Sequence, residues 1–169
     1  VLSQYELPNV DRKISIASLG KAIGLSGGII AGDFQFIDEI KKQQSFVGAS
    51  GMNPAFLETF VNAQSIYHLQ RQQLKENLHY VANDLIPNPV FTFAKEYPAI
   101  YFDDDELLQL LLDSNIVPTS FPYPTASGKL SRIVISAHHT RTDLDKMIQQ
   151  LNIFTRMDSD IEGDIRFVL

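Results

Sequence analysis

Ser18-Leu19-Gly20-Lys21-Ala22-Ile23-Gly24-Leu25-Ser26-Gly27-Gly28 is the stretch on which the reading of the fold turns. It is an apolar strand running into a glycine-rich turn that carries one amine. Residues 14–19 alternate apolar with small side chains, as a buried strand can, and Lys21 falls where that strand ends. Gly24, Gly27 and Gly28 follow at positions suited to small or positive-φ residues. A lysine among small, dry neighbours is driven by desolvation toward its neutral, nucleophilic form. A lysine in an open turn is simply solvated. Residue chemistry alone leaves both readings open.

Composition bounds the rest. At 169 residues and 44% hydrophobic, the chain can bury a core and form one domain or two small ones. A net charge of −6 without a basic block argues against nucleic acid or an anionic membrane surface as the main partner. With no cysteine there are no disulfides, thiolate metal sites or cysteine nucleophiles. No apolar run approaches the about 18 residues of a membrane span, and the first residues lack a signal-peptide pattern. A soluble, cytoplasmic protein is the expectation.

Outward from the lysine turn, 14–19 and 28–31 are predicted as two short buried strands. Asp33 opens a helix through about Gln43, with Phe36, Ile37 and Ile40 on one face. Residues 45–53 form a small-residue loop, and Pro54 stands where a helix starts well. Phe56, Phe60, Ala63, Tyr67, Leu74, Leu78, Val81 and Leu85 then form an apolar stripe predicting one long helix. Pro87-Asn88-Pro89 ends it, dividing the chain into domains 1–86 and 87–169.

Beyond that boundary, strands are predicted at 90–94, 99–102, 116–121 and 130–137. The Asp103-Asp104-Asp105 run starts a helix whose apolar face is Leu107, Leu108, Leu111 and Leu112. Pro122 to Gly128 is a turn-rich loop. Thr140, with Asp143 three residues on, starts a last helix through about Phe154. Helices on a small sheet make an α+β sandwich. The 158–169 tail carries no assignment.

The segment from Ser18 to Gly28, continued through Asp33, resembles the lysine segment of fold-type-I pyridoxal-phosphate enzymes. The similarity is to the α-oxoamine synthase group of the class II aminotransferases, which includes 8-amino-7-oxononanoate synthase. It extends from about Asp11 to Leu151. The resemblance implies an α/β and α+β fold: the C-terminal part of a large pyridoxal-phosphate-binding domain over 1–86 with its connecting helix, then a small α+β domain over 87–169. It implies pyridoxal 5′-phosphate as cofactor, Lys21 as catalytic Schiff-base lysine, and Ser18 as phosphate ligand where Thr is commoner in the family.

A second motif, Leu130-Ser131-Arg132-Ile133-Val134-Ile135-Ser136-Ala137-His138-His139-Thr140, is similar to the family's small-domain strand. By that match Arg132 binds the amino-acid substrate's carboxylate, a task suited to a planar, permanently charged fork. The bland reading of Arg132 is a solvent-facing charge on an amphipathic strand. Gly48-Ala49-Ser50-Gly51-Met52-Asn53-Pro54 matches a hydroxyl-rich segment that reaches the phosphate across a dimer interface. Ser50 fills its Ser/Thr position, while Ala49 and Gly51 depart from it. His138-His139 lacks a completing acidic ligand, and adjacent strand residues face opposite ways, so no metal is expected. His139 is expected to make a packing or cap contact.

The implied activity condenses an amino acid with an acyl-CoA, with decarboxylation, in a cytoplasmic homodimer whose site lies at the interface. The family's pyridine-binding aspartate lies further upstream than residues 1–20 reach, so the chain is expected to be a C-terminal portion, inactive alone. A class I/II aminotransferase and a non-catalytic α+β domain are the alternatives.

Overall fold

The computed structural model describes residues 10–122 and 129–164, with side chains described except at 122, 129 and 158–164. The turn-rich loop and the last five residues of the tail lie outside the described residues. The chain divides into two compact units, Val1–Tyr67 and His68–Leu169.

The first unit opens with β1 (Ser15–Ser18) and β2 (Gly28–Ala31), an antiparallel pair in the register Ser15↔Ala31 to Ser18↔Gly28. α1 (Phe34–Lys41) follows, capped by Asp33, whose carboxylate accepts from the Phe36 N–H at 2.9 Å. The same carboxylate pairs with the Arg12 guanidinium at 2.9 Å. A short α2 (Gln44–Val47) stands at the start of the expected 45–53 loop. α3 (Pro54–Asn62) begins with Asn53 as N-cap and Pro54 in its first turn. Its side-chain oxygen accepts from the Ala55 N–H at 2.9 Å.

The single long helix expected from Pro54 is two helices, because the chain leaves helical geometry at Ala63 (ψ 12°) before α4 (Gln64–Asp84) begins. The Gln64 amide takes the Phe60 carbonyl at 2.6 Å, occupying an acceptor that a continuous helix would use for its own backbone. The two compact units meet after Tyr67, inside α4. Burial explains why: α4 buries Asn77, Leu78 and Val81, all on its later turns.

The second unit is a four-stranded antiparallel sheet of order β3-β4-β6-β5, built from β3 (Phe91–Phe93), β4 (Ala99–Phe102), β5 (Thr119–Pro122) and β6 (Lys129–Val134). α5 (Asp105–Asp113) links β4 to β5, and β6 lies between them, so β4 and β5 run parallel. α6 (Arg141–Asp164) closes the unit, extending beyond the expected Phe154. Phe91, Ile100, Phe102 and Ile133 from one sheet face meet Leu78 and Val81 of α4, Leu107 and Leu111 of α5, and Leu144, Met147, Ile148 and Leu151 of α6. Burying each such side chain contributes about 1.5–3 kcal/mol, so this apolar layer dominates the unit's stability.

Local signals set the ends of these helices. Asp104 caps α5 through the Leu107 N–H at 2.7 Å. At its other end Asn115 takes φ 54° while the Ile116 N–H bonds the Leu111 carbonyl at 2.8 Å and the Asn115 N–H the Leu112 carbonyl at 2.9 Å. That left-handed stop consumes Ile116, so β5 starts later than the expected 116. Before α6, the Asp143 carboxylate accepts from the Thr140 N–H at 2.8 Å while the Thr140 hydroxyl accepts from the Asp143 N–H.

Candidate active site

The loop from β1 to β2 is closed by its own backbone. The Leu19 N–H bonds the Gly27 carbonyl and the Leu25 N–H bonds the Leu19 carbonyl, both at 3.0 Å. Within that ring the Gly24 N–H bonds the Lys21 carbonyl at 3.1 Å, making a tight turn with Lys21 at its first corner. Gly24 (φ 72°) and Gly27 (φ 134°) occupy backbone that L residues rarely adopt. Leu19 and Leu25 are buried beneath the turn. Tyr67 anchors it from α4, its hydroxyl donating to the Ile23 carbonyl at 3.3 Å.

Lys21 itself is exposed, not dry as the small neighbours suggested. Gly20, Ala22 and Gly24 beside it are exposed as well, and Leu19 and Leu25 are the buried residues of the loop. Among the described residues its amine makes no ion pair and no hydrogen bond. The Ser18 hydroxyl accepts from the Gly20 N–H at 3.3 Å, which leaves its proton to donate elsewhere. Met52 packs on Gly27, so that a Cβ built there would meet Met52 Cγ at 3.3 Å. This contact draws the 48–53 loop, with exposed Ser50, against the lysine turn.

The hairpin's outer side is apolar and open. Ile16 is 76% exposed, and Ile16, Ile29, Ile30, Ile37, Ile40 and Phe46 contribute to a groove of about 470 Å³. Leu19 and Leu25 are the buried hydrophobics among this unit's described residues.

Arg132 belongs to the second unit, on the sheet face opposite the core. Register aligns Thr92, Tyr101, Arg132 and Thr119 in one row across the four strands. Arg132 is half-buried, and its Nε–H donates to Thr119 Oγ1 at 3.2 Å. Among the described residues no carboxylate pairs with it. The Tyr97 and Tyr101 rings stack at 6.2 Å beside it, and their hydroxyls share a bond of 3.4 Å. That bond is the main reason the Tyr97 phenol is held above its ordinary range, an effect the Arg132 charge opposes. Thr119 and the tyrosine pair escape a reading of the sequence because strand register, not spacing, brings them to Arg132.

Asn77 is another residue that sequence patterning misses. Only 2% exposed, it donates to the Ser136 carbonyl at 2.9 Å and the His139 carbonyl at 3.2 Å, and accepts from Gln73 at 3.1 Å. His139 Nδ1 in turn accepts from the Ser136 N–H at 3.2 Å, a contact that closes the corner before α6. Among the described residues no group of three or more His, Cys, Asp or Glu is placed to hold a metal. None of the described helices is long and apolar enough to cross a membrane.

These elements make up a mixed α/β architecture that matches part of the fold of fold-type-I pyridoxal-phosphate enzymes. The chain belongs to the aminotransferase class I and II family, whose model matches residues 3–151. It is similar to the 8-amino-7-oxononanoate synthase of Thermosipho melanesiensis, 30% identical over an alignment of 149 residues that covers 81% of this chain and 38% of that protein. Among solved structures, serine palmitoyltransferase from S. paucimobilis with a bound PLP–myriocin aldimine shares the fold. It has a TM-score of 0.66 at 17% identity, over 85% of this chain and 40% of that one. The 8-amino-7-oxononanoate synthase of Francisella tularensis matches with a TM-score of 0.59 at 20% identity, over 92% of this chain and 47% of that one. The chain thus spans less than half the length of the relatives it matches.

Proposed function

We propose that the chain is the C-terminal portion of a pyridoxal-phosphate-dependent acyltransferase that condenses an amino acid with an acyl-CoA, releasing carbon dioxide and CoA. The observation that carries this reading is Lys21: an exposed, unpaired amine at the corner of a backbone-locked turn, with the Ser18 hydroxyl three residues before it. The layout is the end of a large domain and its connecting helix over 1–86, then a small domain over 87–169.

The donor set fits the cofactor. A primary amine without an ion-pair partner can condense with an aldehyde, and the Ser18 and Ser50 hydroxyls can donate to phosphate oxygens. When bound, pyridoxal 5′-phosphate supplies that aldehyde and an electron-withdrawing ring that stabilises negative charge at a substrate's α-carbon. Lys21 Nζ would hold the cofactor and would take and return the proton at that carbon. Arg132 holds the substrate carboxylate through its free fork.

In this reading the exposed groove of the hairpin is covered by the rest of the large domain, which also brings the aspartate for the pyridine nitrogen. The chain alone is then inactive, and the full-length protein works in the cytoplasm as a homodimer with its site at the interface. The test uses the full-length protein with amino acid and acyl-CoA. Carbon dioxide released only when both are present supports the acyltransferase. Transfer of the amine to a keto acid without acyl-CoA identifies an aminotransferase instead, and neither activity in cofactor-loaded protein leaves a non-catalytic domain.

A further inference from the structure

We infer that Thr119 is a positioning residue that fixes which edge of the Arg132 guanidinium meets a substrate carboxylate. The inference rests on the reading of Arg132 as the carboxylate-binding residue and adds to it the geometry and a second determinant of amino-acid affinity.

An arginine fork can take a carboxylate side-on, through Nε–H and one terminal nitrogen, or end-on, through both terminal nitrogens. In this protein the side-on edge is occupied. Arg132 Nε–H donates to Thr119 Oγ1 at 3.2 Å, and the Thr119 hydroxyl spends its own proton on the Arg132 main-chain carbonyl at 3.3 Å. The two residues are register partners on β5 and β6, so both bonds close a ring across one ladder rung. The hydroxyl is therefore saturated toward Arg132 and has no proton left for a ligand.

Both terminal nitrogens, by contrast, lack a hydrogen-bond partner among the described residues. Tyr101, the register partner on β4, walls the other side of the arginine. The end-on edge is what this face offers. A fork held in place before the ligand arrives loses less freedom on binding, so Thr119 contributes to affinity without touching substrate.

The experiment measures steady-state kinetics of the cofactor-loaded full-length protein carrying Thr119→Val, Thr119→Ser or Arg132→Gln. Thr119→Val keeps the β-branched shape on an exposed edge position and removes only the hydroxyl. It is expected to raise the amino-acid KM about ten-fold, the usual size of one hydrogen bond to a charged group. It leaves kcat and the acyl-CoA KM unchanged, and Thr119→Ser restores the wild-type KM. An unchanged amino-acid KM in Thr119→Val, with a raised KM in Arg132→Gln, overturns the inference and leaves the role of Arg132 standing. An unchanged KM in both variants overturns both. A loss of kcat and both KM values together, not rescued by serine, shows a merely structural threonine and overturns the inference.

Discussion

The Asn77 side chain donates to the Ser136 main-chain carbonyl at 2.9 Å, tying α4 to the end of the strand that carries Arg132. Asn77 is itself buried and its partner is main chain, so the amide has little access to water when the bond is lost. Asn77→Leu removes the bonds to the Ser136 and His139 carbonyls, leaving the Ser136 carbonyl with only the His139 N–H at 3.4 Å, and is expected to destabilise the protein by about 1–3 kcal/mol. Urea unfolding followed by circular dichroism checks this, and a change below about 0.5 kcal/mol, the size of an ordinary surface substitution, would show that the tie is dispensable.

Leu111 and Ile16 make a contrasting pair. Leu111 is fully buried between helix and sheet, whereas Ile16 is 76% exposed on the hairpin. In the chain alone, Leu111→Ala is expected to cost about 2–5 kcal/mol and Ile16→Ala less than about 0.5 kcal/mol. In the full-length protein the cost of Ile16→Ala rises above about 1 kcal/mol if the groove is covered as proposed. Equal effects in both settings would contradict that covering.

The start of α6 carries a pH signature. Thr140 donates to the Asp143 carboxylate from both its hydroxyl and its main-chain N–H, which holds that carboxyl below its ordinary 3.8. The ionised form is thus favoured by folding, so the contribution is present above about pH 4 and is lost as pH falls through the lower, folded value. Asp143→Asn should lower the melting temperature at pH 7, with the difference from wild type shrinking toward pH 2. A difference that does not change across that range would remove Asp143 from the account.

Much of the fold was legible because it is written in local chemistry. Asp33, Asn53 with Pro54, Asp104 and the Thr140–Asp143 pair start helices through bonds made within three residues. β4 falls on the expected 99–102 because Ala99-Ile100-Tyr101-Phe102 is a short apolar run of which only Tyr101 is not buried. The break at Ala63 is not visible in the pattern, since the apolar stripe continues across it while the Ala63 backbone leaves helical geometry and the Gln64 side chain bonds the Phe60 carbonyl. The start of β5 was misplaced because the left-handed Asn115 draws Ile116 into the end of α5.

The candidate site divides in the same way. Lys21, Ser18, Ser50 and Arg132 could be picked out as residue types in recognisable surroundings. The Thr119–Arg132 ring could not, because it depends on a register between strands that neither segment encodes alone. Nor could the exposure of Lys21: an apolar strand before it points to a dry turn, whereas in that turn Leu19 and Leu25 are buried and Lys21 is exposed.

In the proposed function Lys21 is the cofactor lysine. Full-length protein loaded with pyridoxal phosphate, reduced with borohydride and digested for peptide mapping tests it most directly. One pyridoxyl group is expected, on Lys21, and none in the Lys21→Ala variant. Label scattered over surface lysines such as Lys41 and Lys75, or absent from Lys21, would contradict it.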